Sequence, residues 1–155
     1  MLVYRLVHRK YAASLYTSGL EGRWNFTGQK VLYTAESIAL AYLELMYQRK
    51  SLGFNSDFKI MLISLPETST FQEIKESDLN EDWRDFRNYF SCQNLAQNWF
   101  LKRENLFLRV PSAVVPQNFN IVINTEHKDF GEVRLIDILD FVPDSRLENI
   151  LKKYS

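Results

Sequence analysis

The sequence predicts an α+β protein with a mixed sheet at its core and helices flanking the sheet. Apolar runs of strand length are interspersed with runs of helical periodicity, without the regular strand–helix alternation of a doubly wound sheet. Hydrophobic residues make up 46% and aromatic residues 14% of the chain, which favours a packed globule over disorder. No repeat or linker divides the 155 residues, so we expect a single domain over residues 1–155.

The N-terminal quarter predicts a strand, a short helix and a loop. Residues 2–8 (LVYRLVH) are apolar on both faces, as in a covered strand. Arg5 is the exception, and it is either a surface arginine of an edge strand or a phosphate ligand. Residues 9–16 predict a short helix. The glycines within residues 19–28 indicate a loop.

The next segment predicts a strand followed by a long helix. Residues 30–34 have strand character, and either Thr34 or Ser37 can cap the helix that runs to about Arg49. Gly53 and its polar neighbours around Asn55 end that helix.

The central segment predicts another strand, then a loop and two helices. Residues 58–65 (FKIMLISL) form an apolar run that ends at Pro66. Residues 67–80 are acidic and polar without a clear period, which indicates a surface loop. Helical spacing then predicts helices over residues 81–89 and 94–103.

The C-terminal third predicts three strands and a final helix. The strands cover residues 106–110, 119–124 and 133–141, and the helix covers residues 144–154. Prolines bracket the segment SAVV that follows the first of these strands. They put Ser112 at a bend or an edge rather than within the sheet.

One carboxylate interrupts the apolar helix. From Ile38 to Tyr47 every residue except Glu44 is apolar or aromatic. Helical spacing puts Glu44 at the edge of the buried face, where it is partly desolvated and needs a partner. Arg23 and Tyr33, upstream, are the expected partners. Alternatively, Glu44 is a structural edge residue whose tip reaches water, because perturbed carboxylates mark sites only statistically.

Composition argues against several classes of function. Lys plus Arg and Asp plus Glu each number 19, so the zero net charge gives no reason to expect direct nucleic-acid binding. The one cysteine, Cys92, excludes a disulfide framework; we expect it to be a core residue in a cytoplasmic protein. The N-terminus is too polar for a signal peptide, and no apolar run reaches the roughly 18 residues of a membrane helix.

Familiar catalytic signatures are absent. The sequence has neither a dinucleotide-binding GxGxxG nor a P-loop motif. His8, His127 and Cys92 have no metal-ligand spacing, so no metal site is expected. Ser112, His127 and Asp137 could form a triad on paper, but no nucleophile elbow surrounds the serine.

The run GRWNFTGQKVLYTAES, followed by IALAYLE, resembles the signature of the RES domain family, which is named after an Arg, a Glu and a Ser. In this chain these are Arg23, Glu44 and Ser112 of RVPSAVV. The opening YR pair and IVINTEHKDF also resemble family positions, so the similarity spans nearly the whole chain. Glu21 departs from the pattern, because the family usually has a glycine there, and glycine permits backbone angles that glutamate does not.

The resemblance implies a fold like that of ADP-ribosyltransferases. It implies a toxin of a bacterial toxin–antitoxin pair that degrades NAD+ at the nicotinamide–ribose bond, with water or phosphate as acceptor. NAD+ is then a substrate and no cofactor is expected. The implied partner is an Xre-like antitoxin that covers the active site, and the many aromatic residues are compatible with a homo-oligomer. The alternatives are a mono-ADP-ribosyltransferase that modifies a protein and a non-catalytic binding module.

The resemblance also implies residue roles. Glu44 would stabilise a transition state resembling an oxocarbenium ion and hold a ribose hydroxyl. Arg23, assisted by Arg5, would bind the pyrophosphate. Tyr33 would stack on the nicotinamide or orient the ribose. Ser112 would donate a hydrogen bond to the nicotinamide ribose or amide.

Overall fold

A computed structural model describes residues 1–49 and 57–154 of the chain. The strands are β1 (Leu2–His8), β2 (Val31–Ala35), β3 (Phe58–Ser64), β4 (Phe71–Glu73), β5 (Phe107–Pro111), β6 (Phe119–Asn124) and β7 (Arg134–Asp140). The α-helices are α1 (Ile38–Arg49), α2 (Tyr89–Lys102) and α3 (Ser145–Tyr154). Short 3-10 helices cover Arg9–Tyr11, Glu76–Asp78, Phe86–Asn88 and Phe130–Glu132.

The seven strands form one mixed sheet in the order β4-β5-β6-β2-β1-β3-β7. β4 and β5 are parallel, and the other pairs are antiparallel. β1 pairs with β3 along its whole length, but it pairs with β2 only where Tyr4 lies opposite Ala35. The sheet therefore divides between β1 and β2 beyond this point. The mixed sheet with three helices confirms the predicted α+β class.

Both long helices pack on the same face of the sheet. α2 packs against β5 and β6 through residues such as Ala96 and Trp99. α1 packs against β1, β2 and β3 through Leu40 and Ala41. Val31, Tyr33 and Ala35 alternate along β2 and join these two clusters, which puts the helices side by side. The opposite face of the sheet carries a third cluster, covered by loop residues.

Several predicted elements differ from the structure. The expected helix over residues 9–16 is only a 3-10 turn, and residues 81–89 form turns that lead into the single helix α2. Asp85 accepts a hydrogen bond from the backbone N–H of Arg87, which favours a turn over a continuing helix. Gly53 and Asn55, expected to end α1, lie outside the described residues.

The segment 67–80, expected to be a loop, contains the strand β4. Phe71 lies opposite Phe107 in the register of β4 and β5, and their rings stack with centroids 5.1 Å apart. This strand forms because of its partner, since its own three residues carry no periodic signal.

Candidate active site

A cleft opens where β1 and β2 separate. It consists of two adjoining cavities of about 380 Å³ and 420 Å³, each within the usual size range of small-molecule sites. The side chains that line both cavities are Arg5, Tyr33, Glu44, Gln48 and Asn120. Aromatic side chains line both cavities: Tyr4, His8, Tyr11 and Phe58 line only the first, and Trp24, Tyr47 and Tyr89 line only the second. Glu44 therefore lies at the centre of the cleft, where the two cavities meet.

The fold fixes Glu44 through its helix. The Ser37 hydroxyl accepts a hydrogen bond from the N–H of Leu40 and caps α1, whereas the hydroxyl of Thr34 donates to a carbonyl of β6. Ala41, one turn before Glu44, is buried against the sheet. Glu44 is half-buried, as predicted for the edge of that face.

The two carboxylate oxygens of Glu44 have different surroundings. Its Oε1 accepts a hydrogen bond from the Ser112 hydroxyl at 2.6 Å and another from the side-chain amide of Asn120 at 2.7 Å. Among the described residues, none donates a hydrogen bond to Oε2. The expectation that Arg23 or Tyr33 pairs with Glu44 is therefore wrong, and Oε2 is the oxygen left for a ligand.

Ser112 holds Glu44 from behind. It follows β5 directly, at the predicted bend, and is fully buried. Its oxygen accepts hydrogen bonds from the backbone N–H groups of Val114 (3.0 Å) and Val115 (3.1 Å). The hydroxyl proton is then left for Glu44, because a hydroxyl has only one proton to donate. In this structure the hydroxyl expected to bind the ribose therefore binds the carboxylate instead.

Arg23 lies in the wall of the second cavity. Its guanidinium donates hydrogen bonds to the backbone carbonyls of Trp83 and Arg84, the second at 3.2 Å. The same group lies over the ring of Tyr89, 4.7 Å from the centroid. Arg23 is 9% exposed. Its hydrogen bonds connect the segment before α2 to the cleft. Because some of its N–H groups are used in these bonds, only the remaining ones can bind a ligand.

Tyr33 supports the loop that carries Arg23. Its hydroxyl accepts a hydrogen bond from the N–H of Trp24 at 3.0 Å and donates to the side chain of Asn25 at 2.5 Å. Burial raises the pKa of Tyr33, so the hydroxyl stays protonated and remains a donor. A Cβ at Gly22 would lie 2.6 Å from this hydroxyl, so the loop requires glycine there.

Glu21 fits this loop although the family usually has a glycine at its position. Among the described residues other than glycine, only Arg103 has a positive φ, so position 21 does not need glycine's backbone freedom. The carboxylate of Glu21 accepts a hydrogen bond from the Gln93 amide at 3.2 Å. Gln93 also donates to the carbonyls of Gly22 and Asn25. The departure therefore adds a contact between the loop and α2.

Arg5 is the least satisfied cation of the cleft. It lies on the interior strand β1, so the edge-strand interpretation is wrong. Burial lowers the pKa of the Arg5 guanidinium. Its side chain lines both cavities and has no hydrogen-bond or ion-pair partner in the described part of the chain. A partly buried cation without a protein partner favours an anionic ligand.

Sequence reasoning missed Asn120 and Gln48, which line the cleft beside Glu44. Asn120 carried no clear signal, because its face of β6 consists of Asn120, Val122 and Asn124 and does not stand out as an apolar face with one polar residue. The triad of Ser112, His127 and Asp137, which the sequence analysis argued against, is not formed. His127 binds the carbonyl of Glu104 and the N–H of Asp129, and Ser112 is engaged by Glu44.

The described ranges contain neither a cluster of metal-ligating side chains nor a helix that could span a membrane. No group of three or more His, Cys, Asp or Glu side chains there is placed to hold a metal ion. No helix in the described part of the chain has the length and apolar character to cross a membrane.

Comparisons with known proteins give consistent results. The model of the RES domain family matches residues 2–144. The protein named Toxin Res from Yersinia enterocolitica is 32% identical over 153 residues, which cover 96% of this chain and 100% of that protein. The Prs ADP-ribosylating toxin of Sphingobium is 26% identical over 128 residues, which cover 81% of this chain and 80% of that protein.

The fold also matches a solved structure. A chain of the crystal structure of the M. tuberculosis MbcT-MbcA toxin-antitoxin complex superposes with a TM-score of 0.72. The match covers 98% of this chain and 88% of that chain, at 17% sequence identity. At 17% sequence identity this similarity shows a shared fold and nothing more.

Proposed function

This chain belongs to the RES domain family, and on that premise we propose that it is the toxin of a bacterial toxin–antitoxin pair and consumes NAD+ by cleaving the nicotinamide–ribose bond. One observation carries the proposal. A carboxylate with one oxygen held by two donors, and the other without a donor among the described residues, lies at the centre of a divided cleft. This arrangement suits the stabilisation of positive charge on a bound sugar.

The chemistry places its main demand on Glu44. When the bond between C1′ and the pyridinium nitrogen breaks, both electrons stay with nicotinamide, which leaves as a neutral molecule. The ribose becomes an oxocarbenium-like cation, as in glycoside hydrolysis. Oε2 of Glu44 would face this charge and accept a hydrogen bond from a ribose hydroxyl. Water or phosphate then forms the new bond at C1′, and attack by water releases one proton.

Binding of the pyrophosphate falls to the cations of the cleft. Arg5 is free of protein partners in the described ranges and reaches both cavities, so we assign it the first contact with the phosphates. Arg23 contributes its remaining N–H groups from the second cavity. Tyr33 offers a ring in both cavities against which nicotinamide or ribose packs.

A second function uses the same site with a different acceptor. The Sphingobium relative is named an ADP-ribosylating toxin, which favours transfer of ADP-ribose to a protein as the alternative. Bond cleavage and the role of Glu44 are then unchanged, and a protein side chain replaces water or phosphate at C1′.

The expected partner is an antitoxin. The fold relative was solved in a toxin–antitoxin complex. The RES family likeness makes an Xre-like protein that covers the cleft the partner to test. Adding this protein should stop NAD+ consumption, and continued turnover in its presence would contradict the partner assignment.

To test this function, the purified protein is incubated with NAD+, with and without phosphate, and the products are separated and measured. We expect free nicotinamide in both reactions, and a phosphorylated ADP-ribose only if phosphate is the acceptor. Glu44→Ala, checked for folding by its thermal unfolding, should lose turnover. Label transferred from NAD+ to a protein band in lysate would support the second function. No nicotinamide release and no labelled protein would overturn both.

A further inference from the structure

The two donors that hold Glu44 differ in one respect that bears on catalysis. Ser112 is fully buried and lies outside the lining of both cavities, whereas Asn120 lines both of them. We infer that Asn120 is the positioning residue that fixes the orientation of the Glu44 carboxylate, so that its other oxygen faces the substrate. This inference rests on the proposed NAD+-consuming function of the same cleft.

The orientation of the Asn120 amide follows from chemistry. An ionised carboxylate only accepts hydrogen bonds, so the amide nitrogen rather than its oxygen must face Glu44. The distance of 2.7 Å between Nδ2 and Oε1 is short for a neutral donor and suits a charge-assisted bond. No described residue donates to the amide oxygen of Asn120, whose side chain lines both cavities.

The backbone of Asn120 is among the best fixed positions of the cleft. It lies in β6, where it pairs with Ala35 of β2 on one side and with Val110 of β5 on the other. Glu44, by contrast, has a long side chain on a helix. A residue fixed in a sheet interior can therefore impose its geometry on the more adaptable carboxylate.

Both donors bind the same oxygen of Glu44, and together they hold the carboxylate in one orientation. Ser112 and Asn120 both donate to Oε1, so rotation of the carboxylate away from this orientation would break two hydrogen bonds. Without Asn120 the carboxylate keeps only Ser112 and gains rotational freedom. Loss of orientation lowers the rate of the chemical step more than it lowers substrate affinity.

The chain provides a matched control two residues away. The amide of Asn118 donates to Oε1 of Glu36 at 3.0 Å, and that oxygen also accepts a bond from the N–H of Phe119. This bond repeats the Asn–Glu pairing of the cleft, but its side chains line neither of the two cavities that form the cleft. Asn118→Ala removes the same kind of contact outside the site.

The kinetic test compares Asn120→Ala with Asn118→Ala for NAD+ turnover. Asn120→Ala should lower kcat by about 10- to 100-fold with little change in KM, because misorientation affects the transition state. Asn118→Ala should leave both constants within about twofold of the parent. In the Glu44→Gln background, Asn120→Ala should add almost nothing, since it acts through Glu44. A rise in KM with unchanged kcat, or an undiminished loss in that background, would overturn the inference.

A measurement without turnover separates this inference from the proposed function. The side-chain amide signal of Asn120 in the NMR spectrum should shift when Glu44 is changed to Ala, and that of Asn118 should not. If both amides are unaffected, Asn120 does not hold Glu44 and the inference fails. If the Asn120 signal shifts but the parent protein leaves NAD+ intact, the contact stands and the proposed function fails.

Discussion

The guanidinium of Arg5 has no hydrogen-bond or ion-pair partner among the described residues. Arg5 lies next to the point where β1 and β2 separate. Partial burial of an unpaired charge costs stability, so we expect the residue to be retained for ligand binding. Arg5→Met keeps much of the side-chain volume and removes the charge. It should raise the KM for NAD+ about tenfold or more, since a hydrogen bond to a charged group contributes roughly 1.5–3 kcal/mol.

The same substitution should raise the melting temperature of the unliganded protein. The control is Arg9→Met, because Arg9 is exposed and pairs with Asp57 at 3.6 Å outside the cavity linings. A lower melting temperature together with an unchanged KM for Arg5→Met would make Arg5 a structural residue.

Tyr33 makes the free energy of unfolding depend on pH in the alkaline range. Burial raises the pKa of Tyr33 in the folded protein, whereas in the unfolded chain it is about 10. Above that pH the unfolded chain binds fewer protons than the folded one, so the free energy of unfolding falls as pH rises. Below it, this contribution is fully present. In Tyr33→Phe the free energy of unfolding should fall less steeply with rising pH, by the slope that one titrating proton contributes. Denaturant unfolding between pH 8 and 11 measures this.

Tyr33→Phe should also be less stable at neutral pH, by about 1–3 kcal/mol, because it leaves the partners on Trp24 and Asn25 unpaired. Tyr16, which is half exposed, provides the control Tyr16→Phe. If both variants show the same alkaline slope as the parent, Tyr33 titrates as an ordinary exposed tyrosine and its burial has no such effect.

At the residue scale, the sequence identified Glu44 as partly desolvated but paired it with the wrong partners. Nearness in the chain favours Arg23 and Tyr33 as its partners. The actual donors, Ser112 and Asn120, are 68 and 76 positions away. A pattern within one helix shows that a carboxylate needs a partner, but the identity of that partner depends on which strand ends lie beside it.

At the scale of elements, the loop before β2 depends on its contact with that strand. Gly22 packs directly against the Tyr33 ring, and an added Cβ would lie 2.6 Å from the hydroxyl. Gly22→Ala should therefore lower the free energy of unfolding by about 1–3 kcal/mol. Gly131→Ala is the control, because a Cβ there meets nothing within 4 Å, and it should change stability by at most about 0.5 kcal/mol. Equal effects on denaturant unfolding would contradict this account of the loop.

Elements with their own apolar period were predicted well, and elements that depend on tertiary contacts were not. The long strands and α1 follow from local alternation and capping. β4 exists because it pairs with β5, and the turns before α2 are fixed by Arg23 binding the carbonyls of Trp83 and Arg84. These contacts join distant segments, so no window of the sequence contains them.

At the scale of the whole molecule, the cleft results from an incomplete sheet. β1 and β2 pair at one position only, and the gap between them exposes Glu44, Arg5 and Asn120 to the same space. Strand lengths could be predicted from the sequence, but this divergence could not, because it depends on register across three strands. The resemblance to the RES family pointed to Arg23, Glu44 and Ser112. Their hydrogen-bond partners are known only from the structure.

Under the proposed function Glu44, and no other carboxylate of similar environment, drives the cleavage of NAD+. Glu36 is the matched comparison, since its Oε1 also accepts two hydrogen bonds but it lies outside both cavities. The decisive measurement is the initial rate of nicotinamide release by Glu44→Gln and Glu36→Gln beside the parent protein. We expect Glu44→Gln to lose about 100-fold or more, as for other residues that stabilise transition-state charge, and Glu36→Gln to keep nearly the full rate. Equal rates in all three proteins would mean that Glu44 does not drive the cleavage.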